Sequence, residues 1–424
     1  MSLLYSLLLA ISTPFLLFGL YRSQDGKPNV GKRWGEHFGF TPKLTKTSPI
    51  WIHAVSVGEV IAAKPLILAL KKKYPYQIIL VTTTTATGAD IVAGLGNGIV
   101  HRYMPIDFTF AVKHFLKRIN PKIMLIMETE LWPNTLVTVN KAGIPVIVIN
   151  ARLSERAMHN YQKIQPLFNI LSKNIDHILC QFENDAHRFI QLGVAKNKVS
   201  VSGSVKFDLP FFDETIEAVT TLKHQLKGRP VWIAASTHEG EDEILLDAHR
   251  AVLDKIPNSV MILVPRHPER FNDVATLIKQ KVFSQIRRST HQPITEKTHV
   301  YLGDTMGEMM ILLAVSNVVF MAGSLVDKKV GGHNFLEPAS LSQPLITGSS
   351  YFNFQVIADQ LIAVGACTVS DNVQEIAETV IERFNNPIQR QILGDAARNI
   401  VNKNRGAVSK TLETIAMWIT PSEE

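Results

Sequence analysis

Cysteine is scarce: two residues in 424, Cys180 and Cys367, far apart and with no Cys-x-x-Cys or Cys/His clustering. That argues against a disulfide framework or a zinc site and fits a reducing compartment. Long Lys/Arg runs, zinc-finger spacing and RNP-like aromatic motifs are also missing, so nucleic acid is not an expected partner despite a net charge of +7 and a pI of about 9.2. The basic excess leaves two readings, a solvated face or a surface for anionic membranes and phosphorylated substrates. A dinucleotide fingerprint is lacking too. Gly94-Leu-Gly-Asn-Gly98 does not have the G-x-G-x-x-G spacing and precedes a strand rather than following one.

Charge is absent from Met1 to Tyr21, and most of residues 3–20 are apolar, against the ~20 residues a spanning helix needs. Ser6, Ser12, Thr13 and Pro14 interrupt the run. The basic n-region and Ala-x-Ala-like site of a cleaved signal peptide are missing. Arg22, Lys27, Lys32 and Arg33 follow, against Asp25, and positive charge marks the cytoplasmic side. Residues 1–21 are therefore expected to tether a cytoplasmic body to the membrane, by spanning it or by lying on it.

What is present is alternation. Pro49-Ile-Trp-Ile-His-Ala-Val-Ser-Val-Gly-Glu59 opens as a short apolar, β-branched strand, and Val60, Ala63, Leu66, Ile67 and Leu70 then follow at helical spacing. Strands are expected at 50–56, 77–82, 100–104, 122–128, 145–150, 177–180 and 199–202, with helices between most of them. Around residues 208–229 the pattern breaks as a linker. It resumes with strands at 231–236, 259–264, 299–302, 317–321, 344–347 and 366–369, then closing helices at about 373–385, 387–403 and 407–419. The reading is a membrane anchor (1–21) and two similar α/β halves, 22–207 and 230–424, with a cleft between them, which the family resemblance given below makes two Rossmann-like domains.

Carboxylates recur at strand ends. Ser56 and Glu59 have the spacing of a capping box, and Glu59 also fits a general base held at a helix N-terminus. Glu128 and Glu130 end a second apolar strand, and Lys206 follows the last strand of the first half. In the second half, Arg266, His267 and Arg270 follow a buried strand, where an arginine fork suits phosphate or carboxylate. Thr305 and Glu308 could box a helix start. Gly331-Gly-His-Asn334 offers a glycine pair for close approach of backbone to ligand, with Glu337 one turn into the helix that Asn334 opens. Together the three stretches suggest a nucleotide site.

Seven blocks in order carry a family resemblance: His53-Ala-Val-Ser-Val-Gly-Glu59, Glu128-Thr-Glu-Leu-Trp-Pro-Asn134, Asn150-Ala-Arg-Leu-Ser154, Gly203-Ser-Val-Lys-Phe-Asp208, Pro265-Arg-His-Pro-Glu-Arg270, Gly303-Asp-Thr-Met-Gly-Glu308 and Gly332-His-Asn-Phe-Leu-Glu-Pro338. Nearly the whole chain thereby resembles the 3-deoxy-D-manno-octulosonic acid (Kdo) transferases of Gram-negative bacteria. The resemblance implies the GT-B fold, with acceptor on the first domain and CMP-Kdo on the second. It further implies inverting transfer of Kdo to lipid IVA at the cytoplasmic face of the inner membrane, with no cofactor and no catalytic metal; no Asp-x-Asp motif is present. Residue by residue, Glu59 matches the general base, and Glu128 and Lys206 match positions that stabilise the transition state. Pro265, Arg266, Gly307, Glu308, Met309, Asn334, Phe335, Leu336 and Glu337 match CMP-binding positions. Phe335 stands where some members carry a smaller aliphatic residue, which a backbone contact would tolerate.

Overall fold

The computed structural model describes residues 5–7, 9–14, 31–44, 48–208, 214–326 and 330–419. The chain divides into two compact units: Met1–Asp208 with Arg405–Glu424, and Leu209–Asn404.

The first unit is built on seven parallel strands: β1 (Ile50–His53), β2 (Ile79–Thr83), β3 (Ile99–Tyr103), β4 (Ile123–Met127), β5 (Val146–Ala151), β6 (His177–Cys180) and β7 (Val199–Val201). Their order is β3-β2-β1-β4-β5-β6-β7, so β1 pairs with β2 on one side and β4 on the other. Alternate side chains enter two cores. Trp51, Leu80, Met124, Ile126 and Val148 face one, and Ile52, Val81, Leu125, Ile147 and Ile149 face the other. Both faces being covered, the inner strands β1, β2 and β4 read as unbroken apolar runs up to their carboxyl ends. Three helices matter here: α1 (Val57–Lys73), α2 (Thr109–Ile119) and α3 (Pro133–Lys141). Val60, Ala63, Leu66, Ile67 and Leu70 of α1 are all buried, as their spacing predicts.

The second unit repeats the plan with β8 (Val231–Thr237), β9 (Val260–Pro265), β10 (Gln285–Arg287), β11 (Val300–Leu302), β12 (Val318–Met321), β13 (Leu345–Thr347) and β14 (Cys367–Val369), in the order β10-β11-β9-β8-β12-β13-β14. Every expected strand is present. Strand β10 is an addition, three partly exposed residues at the sheet edge. The expected linker contains a helix, α4 (Glu214–Leu226), that belongs to the second unit. The helices α5 (Glu241–Lys255), α6 (Met309–Ala314) and α7 (Leu336–Ser340) start beside the strand ends described below.

One boundary differs from the sequence reading. The sequence pattern extends the second domain over 230–424, yet the last helix, α8 (Ala407–Ala416), joins the first unit. Ala407, Ile415 and Ile419 complete its core. The Asp208 carboxylate accepts the Gly406 and Val408 N–H groups at 2.8 and 2.6 Å, which caps the helix start with a negative charge. Residues 5–7 and 9–14 are helical; the remainder of the expected 1–21 anchor lies outside the described residues. Among the described residues no helix is long and apolar enough to cross a membrane.

Candidate functional site

In the first unit the strand order reverses between β1 and β4. The crevice beyond the carboxyl ends of parallel strands at such a reversal is where open α/β sheets bind ligands. Both acids expected from the sequence stand there. Ser56 is the N-cap of α1, and its hydroxyl accepts the Glu59 N–H at 3.3 Å. The return arm of the box is displaced by one residue: Glu59 Oε2 accepts the Val55 N–H at 2.9 Å, while Oε1 accepts the Ser56 hydroxyl at 2.9 Å. Capping and an available carboxylate therefore coexist, since the side chain is half-buried rather than enclosed. Burial raises the Glu59 pKa above its ordinary value, helped by the charges of Glu130 and Glu128 and opposed by the Val55 and Ser56 hydrogen bonds.

Glu128 follows β4 in the left-handed region, at a φ of 56°, which a non-glycine residue rarely adopts. Its N–H donates to Ile149 at 3.0 Å, which holds the turn. Lys206 Nζ lies 3.7 Å from Glu128 Oε1, with the two side chains 45% and 31% exposed. Lys206 sits on a short turn whose first N–H, that of Val205, donates to buried Asn150 Oδ1 at 3.2 Å. Asn150, itself at a φ of 52°, thus fixes the loop that carries the lysine. Behind this edge, buried Asp107 accepts the Asn134 and Thr135 N–H groups at 3.1 and 2.6 Å, capping α3, and Asn134 Nδ2 donates to Ser6 Oγ at 3.0 Å.

In the second unit the reversal lies between β8 and β12. Glu241, the first residue of α5, is fully buried. Its Oε2 accepts the His238 and Gly323 N–H groups at 2.9 and 2.8 Å, and its Oε1 those of Ser324 and Leu325 at 2.9 and 3.0 Å. One carboxylate so ties the turn after β8 to the turn after β12. Of the two arginines past β9, Arg270 pairs with buried Asp242 and is structural, while Arg266 is exposed and has no ion pair among the described residues.

The other expected nucleotide positions divide. Pro265 is buried as the last residue of β9, and Phe335 and Leu336 are only 0% and 3% exposed, so their side chains serve the core and leave backbone for a ligand. Gly307 has a φ of +83° with open space where a Cβ would stand. Met309 is partly buried and begins α6. The Thr305–Glu308 box is not formed: Glu308 is itself the N-cap, without a side-chain cap bond. Its carboxylate instead receives Arg288 Nη2 at 2.6 Å and the Thr305 hydroxyl, and the Arg288 bond foremost pulls its pKa down. Asn334 Oδ1 accepts the Leu336 N–H at 3.1 Å. Burial raises the Glu337 pKa, opposed by Asn334 and Arg266. The glycine pair serves packing: a Cβ on Gly331 would lie 2.5 Å from the Phe352 ring and one on Gly332 would lie 3.2 Å from Tyr351.

Glu241, His238 and Arg288 are missed by sequence reasoning. A signal for the first existed. Gly240-Glu241 follows the first strand of its unit just as Gly58-Glu59 follows β1, so the first strand of each unit leads through Gly-Glu into a helix.

Comparison with known proteins agrees with this division. Residues 32–209 match a family model described as 3-deoxy-D-manno-octulosonic-acid transferase, and residues 229–400 match glycosyl transferases group 1. A 3-deoxy-D-manno-octulosonic acid transferase of Haemophilus influenzae is 41% identical over 98% of both chains. One of Bordetella pertussis is 33% identical over 88% of both. Among solved structures, a UDP-GlcNAc 2-epimerase of Neisseria meningitidis bound to UDP-GlcNAc superposes with a TM-score of 0.58 at 16% identity, covering 88% of this chain and 100% of that one. A glycosyltransferase of Rickettsia africae gives 0.55 at 13%, covering 89% and 100%. These two likenesses show the fold alone, the GT-B pair of Rossmann-like domains.

Proposed function

Because this chain belongs to the 3-deoxy-D-manno-octulosonic acid transferase family and is a Kdo transferase, we propose that it moves Kdo from CMP-Kdo to lipid IVA with inversion, Glu59 acting as the general base. The first unit takes the acceptor and the second takes the donor through Arg266, Gly307–Met309 and Asn334–Glu337. Glu59 removes the proton from the attacking sugar hydroxyl, the new glycosidic bond forms at the anomeric carbon, and the bond to the CMP phosphate breaks on the opposite face. A carboxylate whose pKa is raised by burial binds that proton more firmly than a free one. Lys206 offsets charge that builds beside Glu128, and Arg266 faces the departing phosphate.

The observation that carries this reading is the placement of Glu59 and Glu128 at the ends of adjacent strands, at the reversal of the sheet, with Lys206 beside Glu128. The work site is the cytoplasmic face of the inner membrane, where a basic chain with an uncharged apolar amino terminus meets a phosphorylated, acylated acceptor. Mass spectrometry of lipid IVA incubated with CMP-Kdo and the purified protein tests the reaction. Addition of one or more Kdo masses with CMP release is expected, and an unmodified acceptor with unconsumed donor would refute it.

A further inference from the structure

Histidines gather past the ends of β8, β9 and β12, and the reaction proposed above uses none of them. His238 Nε2 lies 2.8 Å from His333 Nε2, with ring centroids 5.1 Å apart and planes 8° from parallel. Stacked rings cannot bring two atoms that close, so the imidazoles share a plane and meet tip to tip. His267 stands edge-on to His238 at 5.2 Å between centroids. The fold is arranged around this meeting. Gly323 has a φ of +73°, and a Cβ there would lie 2.8 Å from His333 Cδ2, so a larger residue would displace the ring. Glu241 Oε2 fixes the N–H groups of His238 and of Gly323 together, at 2.9 and 2.8 Å.

A contact of that length requires one proton between the two nitrogens. With both rings neutral, the donating ring keeps a bare Nδ1 and the accepting ring carries its proton on Nδ1. Neither Nδ1 has a hydrogen-bond partner among the described residues. One added proton converts this donor-plus-acceptor pair into two donors bearing a positive charge. The titratable groups facing the pair are Arg266, Arg270 and His267, against Glu241, whose oxygens already hold backbone N–H groups. Burial first, aided by Arg266 and opposed at His238 by Glu241, lowers both histidines, His333 to about 4, so the empty pair is neutral at physiological pH.

We propose that His238 and His333 form a proton-coupled anion seat, taking up one proton from solvent on the bare Nδ1 when the donor nucleotide's phosphate docks. This rests on the reading of the second unit as the CMP-Kdo unit, since His333 directly precedes Asn334 and the pair borders Arg266. The seat would carry charge when phosphate is present and none when it is absent, which spares the free protein another cation beside two arginines.

Calorimetric titration of the full chain with CMP at about pH 8, where the nucleotide phosphate is already a dianion, tests this when repeated in buffers of different ionisation enthalpy. The expected result is uptake of about one proton per CMP. His238→Asn and His333→Asn should remove most of that uptake and weaken CMP binding about tenfold or more. His267→Asn should leave the uptake in place. Tight CMP binding with no buffer dependence overturns the seat while leaving the donor assignment intact, and absence of CMP binding overturns both. Uptake that survives His333→Asn but is lost in His267→Asn assigns the proton elsewhere and overturns the proposal. If a pair variant fails to fold, the buffer dependence of the unaltered chain decides.

Discussion

Glu59 joins its helix cap through both its N–H, received by Ser56, and its carboxylate, which accepts the Val55 N–H and the Ser56 hydroxyl, yet that carboxylate stays half-exposed at the strand edge. If Glu59 takes the acceptor's proton, its raised pKa, caused chiefly by burial, should place the acid limb of kcat/KM above the ordinary carboxylate range of about 4.3. Ser56→Ala removes a hydrogen bond that favours the ionised form, so that limb should move to still higher pH; a pH–rate profile of the variant reads it, and a downward shift would contradict the assignment. Lys206 differs in kind. Its pair with Glu128 spans 3.7 Å and both groups are about a third or more exposed, so it stabilises the fold by well under 1 kcal/mol. Lys206→Ala should therefore lower the transfer rate by about tenfold or more while leaving the thermal midpoint within about 2 °C, as stopped-time assays and calorimetry would register.

At the scale of elements, the strand–turn–carboxylate pattern appears in both units with opposite outcomes. After β1 the carboxylate is left partly open. After β8 it is enclosed by four backbone N–H groups. Glu241→Ala would orphan those donors and should destabilise the second unit by roughly 3–5 kcal/mol, against about 1–3 kcal/mol for Glu241→Gln, measured by denaturant unfolding. Asp304 and Glu308 of this unit have lowered pKa values. For Asp304, burial pulls upward, but Ser289 and Arg287 outweigh it; for Glu308, Arg288 dominates. Carboxylates held below their unfolded values contribute stability above those values and lose it as pH falls through the folded ones, so the second unit should weaken below about pH 4. Arg288→Ala should flatten that acid loss in a pH series of melts. The same scale explains what could be read in advance. Apolar runs buried on both faces announced the inner strands, and short β-branched runs the outer β3, β7 and β14, whereas β10, Gln285-Ile-Arg287, has no such run. The helix Glu214–Leu226 passed for a linker because its buried residues Leu222 and Leu226 sit in a mostly polar stretch. Glu59, Glu128 and Lys206 were legible because strand ends place them. The histidine pair was not, and Glu241 showed only as a carboxylate after a strand, because the partners that give them meaning lie 82 to 95 residues away and only the sheet order brings them together.

For the whole molecule, the chain's end returns to its beginning. Residues 405–424 belong with the first unit, capped by Asp208 and burying Ala407 and Ile415 completely. Removing them should destabilise the first unit while CMP affinity in the second is kept, which domain-resolved hydrogen exchange and a binding titration would separate. Removing residues 1–21 should reduce partition onto anionic vesicles more than it reduces CMP binding. Equal partition of the truncated and full chains would contradict the tether. The decisive measurement is the single-turnover rate of Kdo transfer by a folded Glu59→Gln protein whose CMP affinity is unchanged. If Glu59 takes the acceptor's proton, that rate falls by about a hundredfold or more; transfer at the unaltered rate would show that another group removes the proton.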